Sequence, residues 1–268
     1  MTGVPTATPR PEDVSLAGRV VVVTGAARGI GRAVAETAAS FGADVALLDR
    51  DPAVDEVAER IVSAGRRVVV GHLDVRDRPA VVEVTQRIDA EFGGVHGLVN
   101  NAGGTFVAEF MSSNERGDAA LVAENFTSVL DVTRAVVPLM RSGGSIVNVT
   151  SSEAFQAAPG FAVYSAMKAA TEQLTRTLAL ELAASGIRVN AVAPDGMPTP
   201  GDESLAAEVA ERSRFVPPPR PPSGDFAPPE AAAGVVAFLL GDLAGFVTGA
   251  SISVDGGLRA AGGWHLRS

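Results

Sequence analysis

The 268-residue chain has no cysteine, and a single lysine, tyrosine and tryptophan. Without cysteine there can be no disulfide, thiolate metal site or thiol nucleophile. The three histidines, His72, His96 and His265, are too scattered to suggest a metal cluster. Charge of one sign is also scarce: 22 basic against 31 acidic residues give a net charge of −9, and no stretch interleaves arginine with aromatics as a phosphate-tracking surface does. Nucleic acid is therefore not an expected partner. No apolar run reaches the roughly 18 residues of a membrane span, and the N-terminal MTGVPTATPRPEDVS lacks the apolar centre of a signal peptide. These absences predict a cytoplasmic protein without a membrane partner, with residues 1–15 as a disordered arm.

What is present is 46% hydrophobic content, enough for one sizeable core, and residues 16–268 are expected to form a single α/β domain. Short β-branched runs at 19–24, 44–49, 67–74, 96–100, 145–150, 187–192 and 251–255 alternate with longer segments of helical periodicity. That rhythm describes βαβ units. Nearly continuous apolar strands need cover on both faces, which predicts a doubly wound, mostly parallel sheet of about seven strands. Ligands of such sheets bind beyond the strand C-termini, where strand order reverses.

The first strand runs into TGAARGIG, with Gly25, Arg28, Gly29, Ile30 and Gly31 at the turn into a helix. Glycines let the backbone approach a pyrophosphate, and the helix start presents unpaired N–H groups to it. Asp49 ends the second strand, eighteen residues after Gly31, where a carboxylate accepts from ribose hydroxyls and repels a 2′-phosphate. On that charge argument NAD is favoured over NADP, although Arg28 and Arg50 are both able to pair with a 2′-phosphate. Asp74 ends the third strand with Val75 beside it; the pair suits an adenine edge, and a helix cap is the other reading for Asp74.

The lone tyrosine and lone lysine stand together in YSAMK, as Tyr164 and Lys168. An Ala/Leu-rich helix running to about Ser185 puts them one turn apart on one face. A phenol is a poor acid–base catalyst at neutral pH, but a nearby ammonium favours its phenolate. Thirteen positions before Tyr164, at a strand end, lies Ser151, with Ser152 as the alternative.

In combination, TGAARGIG, NNAG at 100–103, AENF at 123–126, Ser151 and Tyr164-x-x-x-Lys168 resemble the short-chain dehydrogenase/reductase family over roughly residues 16–257. The resemblance implies a Rossmann-like fold with Tyr164 as general acid/base, Ser151 holding the substrate oxygen, Lys168 on the ribose, and Asn125 holding a water in a proton relay. A buried helix residue bonding its own backbone is the other reading of Asn125, as fixing a turn is of Asn101. The resemblance also implies that Asn101, Ala102 and Gly103 line the adenosine pocket, and that Pro194, Met197 and Thr199 adjoin the nicotinamide. The chain departs from the family at Asp195, where glycine is expected after Pro194.

Residues 201–229 occupy the position of the family's substrate lid, with seven prolines between 217 and 229 and Phe215, Val216 and Phe226 to cover an apolar substrate. Trp264 is a candidate for packing on a neighbouring subunit or closing the pocket. Apolar helices at 120–140 and around Tyr164 imply pairing across a twofold axis, and a second interface through the last helix and strand would make a homotetramer. The expected reaction is hydride transfer between NAD(P) and a secondary alcohol or ketone, most simply a cyclic or bulky hydrophobic one. The alternative is NADPH-dependent reduction of 3-oxoacyl thioesters.

Overall fold

The β-branched runs form the strands of one parallel sheet: β1 Val20–Thr24, β2 Asp44–Asp49, β3 Val68–His72, β4 Gly97–Asn100, β5 Gly144–Val149, β6 Ile187–Pro194 and β7 Ser251–Val254. The order is β3-β2-β1-β4-β5-β6-β7. The computed structural model describes residues 8, 10–195, 197, 205, 209, 211, 215 and 220–262. All pairings are parallel, with Val21 against Val45 on one side of β1 and against Gly97 on the other. Strand order therefore reverses between β1 and β4, so a crevice opens beyond their C-terminal ends.

Helices cover both faces. Alternation along β1 sends Val21 and Val23 into a layer under α1 (Gly29–Ser40), α2 (Val54–Ser63) and α7 (Pro229–Leu240). Val20 and Val22 go to the opposite layer, under α3 (Arg78–Phe92), α5 (Ser128–Val136) and α6 (Ala162–Glu181). Asp77 caps α3, its side chain accepting from Ala80 N at 3.2 Å, and Gly93 closes it at φ +77°. The capping reading of Asp74 is thus corrected: the cap lies three residues further on.

The helix expected over 120–140 is interrupted. It resolves into α4 (Glu115–Val122), one π-helical turn over Ala123–Thr127, then α5 and a 3-10 turn over Val137–Leu139. Asn125, in the wide turn, donates from its side chain to Leu121 O at 3.0 Å and so competes with the helical ladder. At the N-terminus Pro11–Val14, which falls within the expected arm, forms a 3-10 turn against the turn at Asp242–Ala244. The short helix expected early in the 201–229 segment, and Val216, Thr199 and Trp264, lie outside the described residues.

Candidate functional site

Beyond the ends of β1 and β4 lies a cavity of about 880 Å³. Its floor starts at Thr24, whose hydroxyl accepts from the backbone N–H groups of Asn101 (2.9 Å) and Ala102 (3.0 Å). Asn101 returns the contact, donating to Thr24 O and Gly25 O at 3.0 and 3.1 Å, and thereby clamps the glycine-rich turn onto the end of β4. Gly25, Arg28, Gly29 and Ile30 line the cavity, while Gly31 lies beneath them and does not. A Cβ on Gly31 would meet Gly25 O at 2.0 Å, so this glycine serves the close packing of helix on turn. Helix α1 starts at Arg28 with no side-chain cap, leaving the N–H groups of its first turn to a ligand.

Asp49 lines the cavity with both oxygens tied to backbone, accepting from Ala27 N at 2.8 Å and Asp51 N at 2.9 Å. The two neighbouring arginines are engaged by carboxylates: Arg28 by Asp51, and Arg50 by Asp74 at 3.2 Å and Glu124 at 3.5 Å. Asp74 is held chiefly by the side chain of Arg76, which keeps its carboxyl well below the usual range, with Arg50 adding to the effect. Val75, Ala102 and Gly103 complete this end.

At the other end, α6 brings Tyr164 and Lys168 into the cavity together, with the Lys168 Nζ 5.5 Å from the centre of the Tyr164 ring. Lys168 is buried and donates to Val149 O at 3.0 Å. Burial pushes its ammonium down to about 8, against the opposing pull of Glu153 and Glu124. The strand end beneath is fixed by buried polar chains. Asn100 donates to Thr133 and Asn148, Asn148 donates to Thr175, and the buried carboxylate of Glu172 accepts from Thr150 and Ser251.

Ser151 lines the cavity, whereas Ser152 is fully buried. The alternation along the strand end thus points Ser151 inward. Each hydroxyl nevertheless meets a carboxyl: Ser151 donates to Glu153 Oε2, and Ser152 donates to Asp195 Oδ2. Burial and then the Asp195 charge push the Glu153 carboxyl up to about 7, against its own backbone, Ser152 and Lys168. Pro194, Asp195 and Met197 line this end with Phe161 and Leu205. Asn125 is not on the surface of the cavity. It is buried behind Gly104, accepting from its N–H at 3.3 Å and donating to its carbonyl at 2.8 Å, while Glu124 takes the lining position.

Sequence reasoning missed Glu153 and Glu124. The signal for Glu153 was an acid two residues beyond a strand-end serine, within a turn tight enough to fold back on it. The expected apolar cover is corrected too: Phe215 and Phe226 are exposed and do not line the cavity, and at its Tyr164 end Phe161, Met197 and Leu205 are apolar lining residues among those described. Of the 201–229 segment, Leu205 reaches the cavity, while Pro221–Ser223 packs on the turn at Gly256–Gly257, with Ser223 N donating to Gly256 O at 3.0 Å. No group of three or more potential metal ligands occurs among the described residues, and no helix among them is long and apolar enough to cross a membrane.

Comparison with known proteins agrees with this geometry. The family described as enoyl-(acyl carrier protein) reductase matches residues 25–259. A 3-oxoacyl-[acyl-carrier-protein] reductase of Thermotoga maritima is 39% identical over 91% of this chain and 98% of its own. A cis-4-hydroxycyclohexanecarboxylate dehydrogenase of Sinomonas cyclohexanicum is 40% identical over 92% and 98%. Among solved structures, carveol dehydrogenase of Mycobacterium avium in complex with NAD superposes with a TM-score of 0.83 at 29% identity, covering 90% of this chain and 97% of that one. An NAD(P)-dependent protein of Beutenbergia cavernae with bound NADP gives 0.84 at 35%, covering 92% and 99%. With relatives of this similarity along nearly their whole length, the chain belongs to the short-chain dehydrogenase/reductase family, oxidoreductases that act on CH–OH groups with NAD or NADP.

Proposed function

We propose that the chain interconverts a secondary alcohol and its ketone on a cyclic or bulky carbon frame, with NAD as the preferred cofactor. The observation that carries this reading is the convergence of Ser151, Tyr164 and Lys168 on the cavity that begins at the glycine-rich turn. The cradle fits a dinucleotide, because α1 is uncapped, Gly31 allows close packing beneath, and the cavity is large enough at about 880 Å³. Gly25, Arg28, Gly29 and Ile30 would hold the pyrophosphate, and Asp49, Asp74, Val75, Asn101, Ala102 and Gly103 the adenosine. Lys168 would hold the nicotinamide-side ribose, and Pro194, Met197 and Thr199 the nicotinamide. When bound, the cofactor supplies hydride transfer.

The protein's own part is to hold the substrate oxygen and move its proton. Tyr164 gives or takes that proton as general acid/base. Ser151 hydrogen-bonds the same oxygen, on which negative charge develops. Lys168, fixed by Val149 O, keeps a positive charge beside the phenol ring. Asn125 acts from behind, its side chain fixing Gly104 and its wide turn leaving the backbone carbonyl near Thr171 Oγ1 at 3.5 Å. The preference for NAD rests on Asp49 and on arginines already engaged by Asp51, Asp74 and Glu124.

Phe161, Met197 and Leu205 support the apolar frame, as does the relative named for a cyclohexane substrate. The reductase of Thermotoga maritima favours a second reading, NADPH-dependent reduction of a 3-oxoacyl thioester. The net charge of −9 weighs against docking an acidic carrier. Absence of cysteine suits the cytoplasm. A homotetramer would cover the strongly exposed Leu180 of α6 and Phe246 near the sheet edge formed by β7. The deciding experiment follows cofactor absorbance while cyclic alcohols and ketones are offered beside 3-oxoacyl thioesters, with both cofactors. A kcat/KM at least roughly tenfold higher for the cyclic substrates is expected; faster turnover of the thioesters would overturn the reading.

A further inference from the structure

Ser151 has one hydroxyl hydrogen, and two groups compete for it. To hold a substrate oxygen as charge develops there, the serine must donate to that oxygen. In the structure it donates instead to Glu153 Oε2, while its own oxygen accepts a long 3.4 Å contact from Glu153 N. The second serine repeats the arrangement one residue on. Ser152 donates to Asp195, and its oxygen lies 3.4 Å from Glu153 Oε2. Two hydroxyls thus lie between two carboxyls, and with both carboxyls ionised each hydroxyl hydrogen is taken.

One added proton changes the count. A carboxylic acid has an O–H of its own to give. With that proton on Glu153, the acid donates to Ser151 Oγ, and the serine hydrogen is released toward the cavity. We propose that Glu153 is a positioning residue for Ser151: protonated, it turns the serine hydrogen toward the substrate oxygen, and ionised, it withdraws that hydrogen. No bond other than hydrogen bonds is made or broken, and the proton comes from solvent. The inference rests on the reading of Ser151 and Tyr164 above.

The surroundings support the protonated form near neutrality. Among the described residues, Asp195 from the end of β6 and Lys168 from α6 are the charged groups whose fields act on Glu153, with Tyr164 of α6 on the same cavity wall. Arg259 stacks on Phe155, 3.5 Å from its ring centre. Burial and the Asp195 charge together outweigh Lys168 and carry the carboxyl up to about 7. Asp195, standing where the family has glycine, therefore adds to burial in raising the pH at which Ser151 becomes competent.

The test is the pH profile of ketone reduction, using the fastest of a panel of cyclic ketones, for wild type, Glu153→Gln, Glu153→Ala and Asp195→Asn. Wild-type kcat/KM should fall on a limb near pH 7. In Glu153→Gln the amide donates to Ser151 at every pH, so the decline should move to higher pH and activity at about pH 8.5 should exceed wild type several-fold. Asp195→Asn should move the limb toward acid. Glu153→Ala should lose the limb but remain slower than Glu153→Gln, because no side chain at 153 donates to Ser151 to turn its hydrogen. Difference infrared spectra of the ligand-free protein give a second readout: a carboxylic C=O band present near pH 6, lost by about pH 8.5 and absent from Glu153→Gln. An unmoved limb, equal rates for the glutamine and alanine variants, or no such band would each overturn the proposal. Turnover by Tyr164→Phe at wild-type rates would instead overturn the underlying reading of the tyrosine, with the infrared titration of Glu153 left intact.

Discussion

The two ends of the cavity are made of different materials. At the β1–β2 end the ligand-facing groups are mostly main chain: the glycine-rich turn, the open first turn of α1, and a carboxylate, Asp49, tied by two backbone N–H groups. Its arginines and acids are paired at the surface, where such pairs cost and contribute little. At the β5–β6 end the groups are buried and titratable, with Lys168 and Glu153 both pushed far from their ordinary values. On the proposed reading, the first end recognises a shape that every member of the family must bind. On the same reading the second carries the chemistry, and its titratable groups are held away from their ordinary values by burial and by one another.

The sharpest way to break this comparison is at Tyr164. Tyr164→Phe should retain cofactor binding and lose turnover by about 10²–10⁴-fold; a variant keeping more than about a tenth of wild-type activity would remove the acid/base role. Next in size is Gly31→Ala, whose Cβ would lie 2.0 Å from Gly25 O. It should cost about 1–3 kcal/mol of stability and weaken cofactor binding, read by denaturant melts and fluorescence titration. Asp49→Ala should narrow the preference for NAD(H) over NADP(H) by about tenfold, measured as the ratio of Kd values; tighter NADPH binding by the wild type would show that Arg28 and Arg50 dominate.

The smallest effect concerns stability and sharpens the contrast in charge. Glu153 holds its proton to about 7 in the folded chain against an ordinary value of 4.5. Its favourable contribution is full below the ordinary value and is lost as pH rises through 7. Lys168 has the opposite sign: depressed to about 8 from 10.5, it contributes above 10.5 and loses that contribution as pH falls through 8. Between about pH 5 and 7 the glutamate term changes in the wild type alone, whereas that of His96, lowered by burial, is common to wild type and Glu153→Gln. The Tm of wild type should therefore fall across that range by a few degrees more than that of Glu153→Gln. Parallel curves would show that the carboxyl is not buried in the protonated form.

The strands and the main-chain end were legible because both follow from spacing. The alternation of Val20 to Val23 fixes a two-sided sheet, and a glycine-rich turn between strand and helix has few other uses. Tyr164 and Lys168 were legible for a different reason, their rarity in the chain. Glu153 was not, since an acid in SSEAF reads as loop, and its meaning lies in a partner 42 residues away at Asp195, which only the packing of β5 beside β6 brings near. The capping alternative for Asp74 and the unbroken 120–140 helix failed for local reasons. Asp77 is the better-placed cap, and the Asn125 amide competes with the backbone for Leu121 O.

The wide turn at Ala123–Thr127 also bears on how this chain can tolerate insertion and deletion. A π turn is a helix carrying one surplus residue. Losing a single residue there would let α4 and α5 merge into one regular helix with their faces still in phase, so that the residues re-aimed would be those of the turn itself. Glu124 would leave the cavity wall, and the Gly104 backbone would lose both bonds to Asn125. A one-residue gap that would be silent in the exposed turns of this fold is thus, at this position, a lesion in the floor of the site.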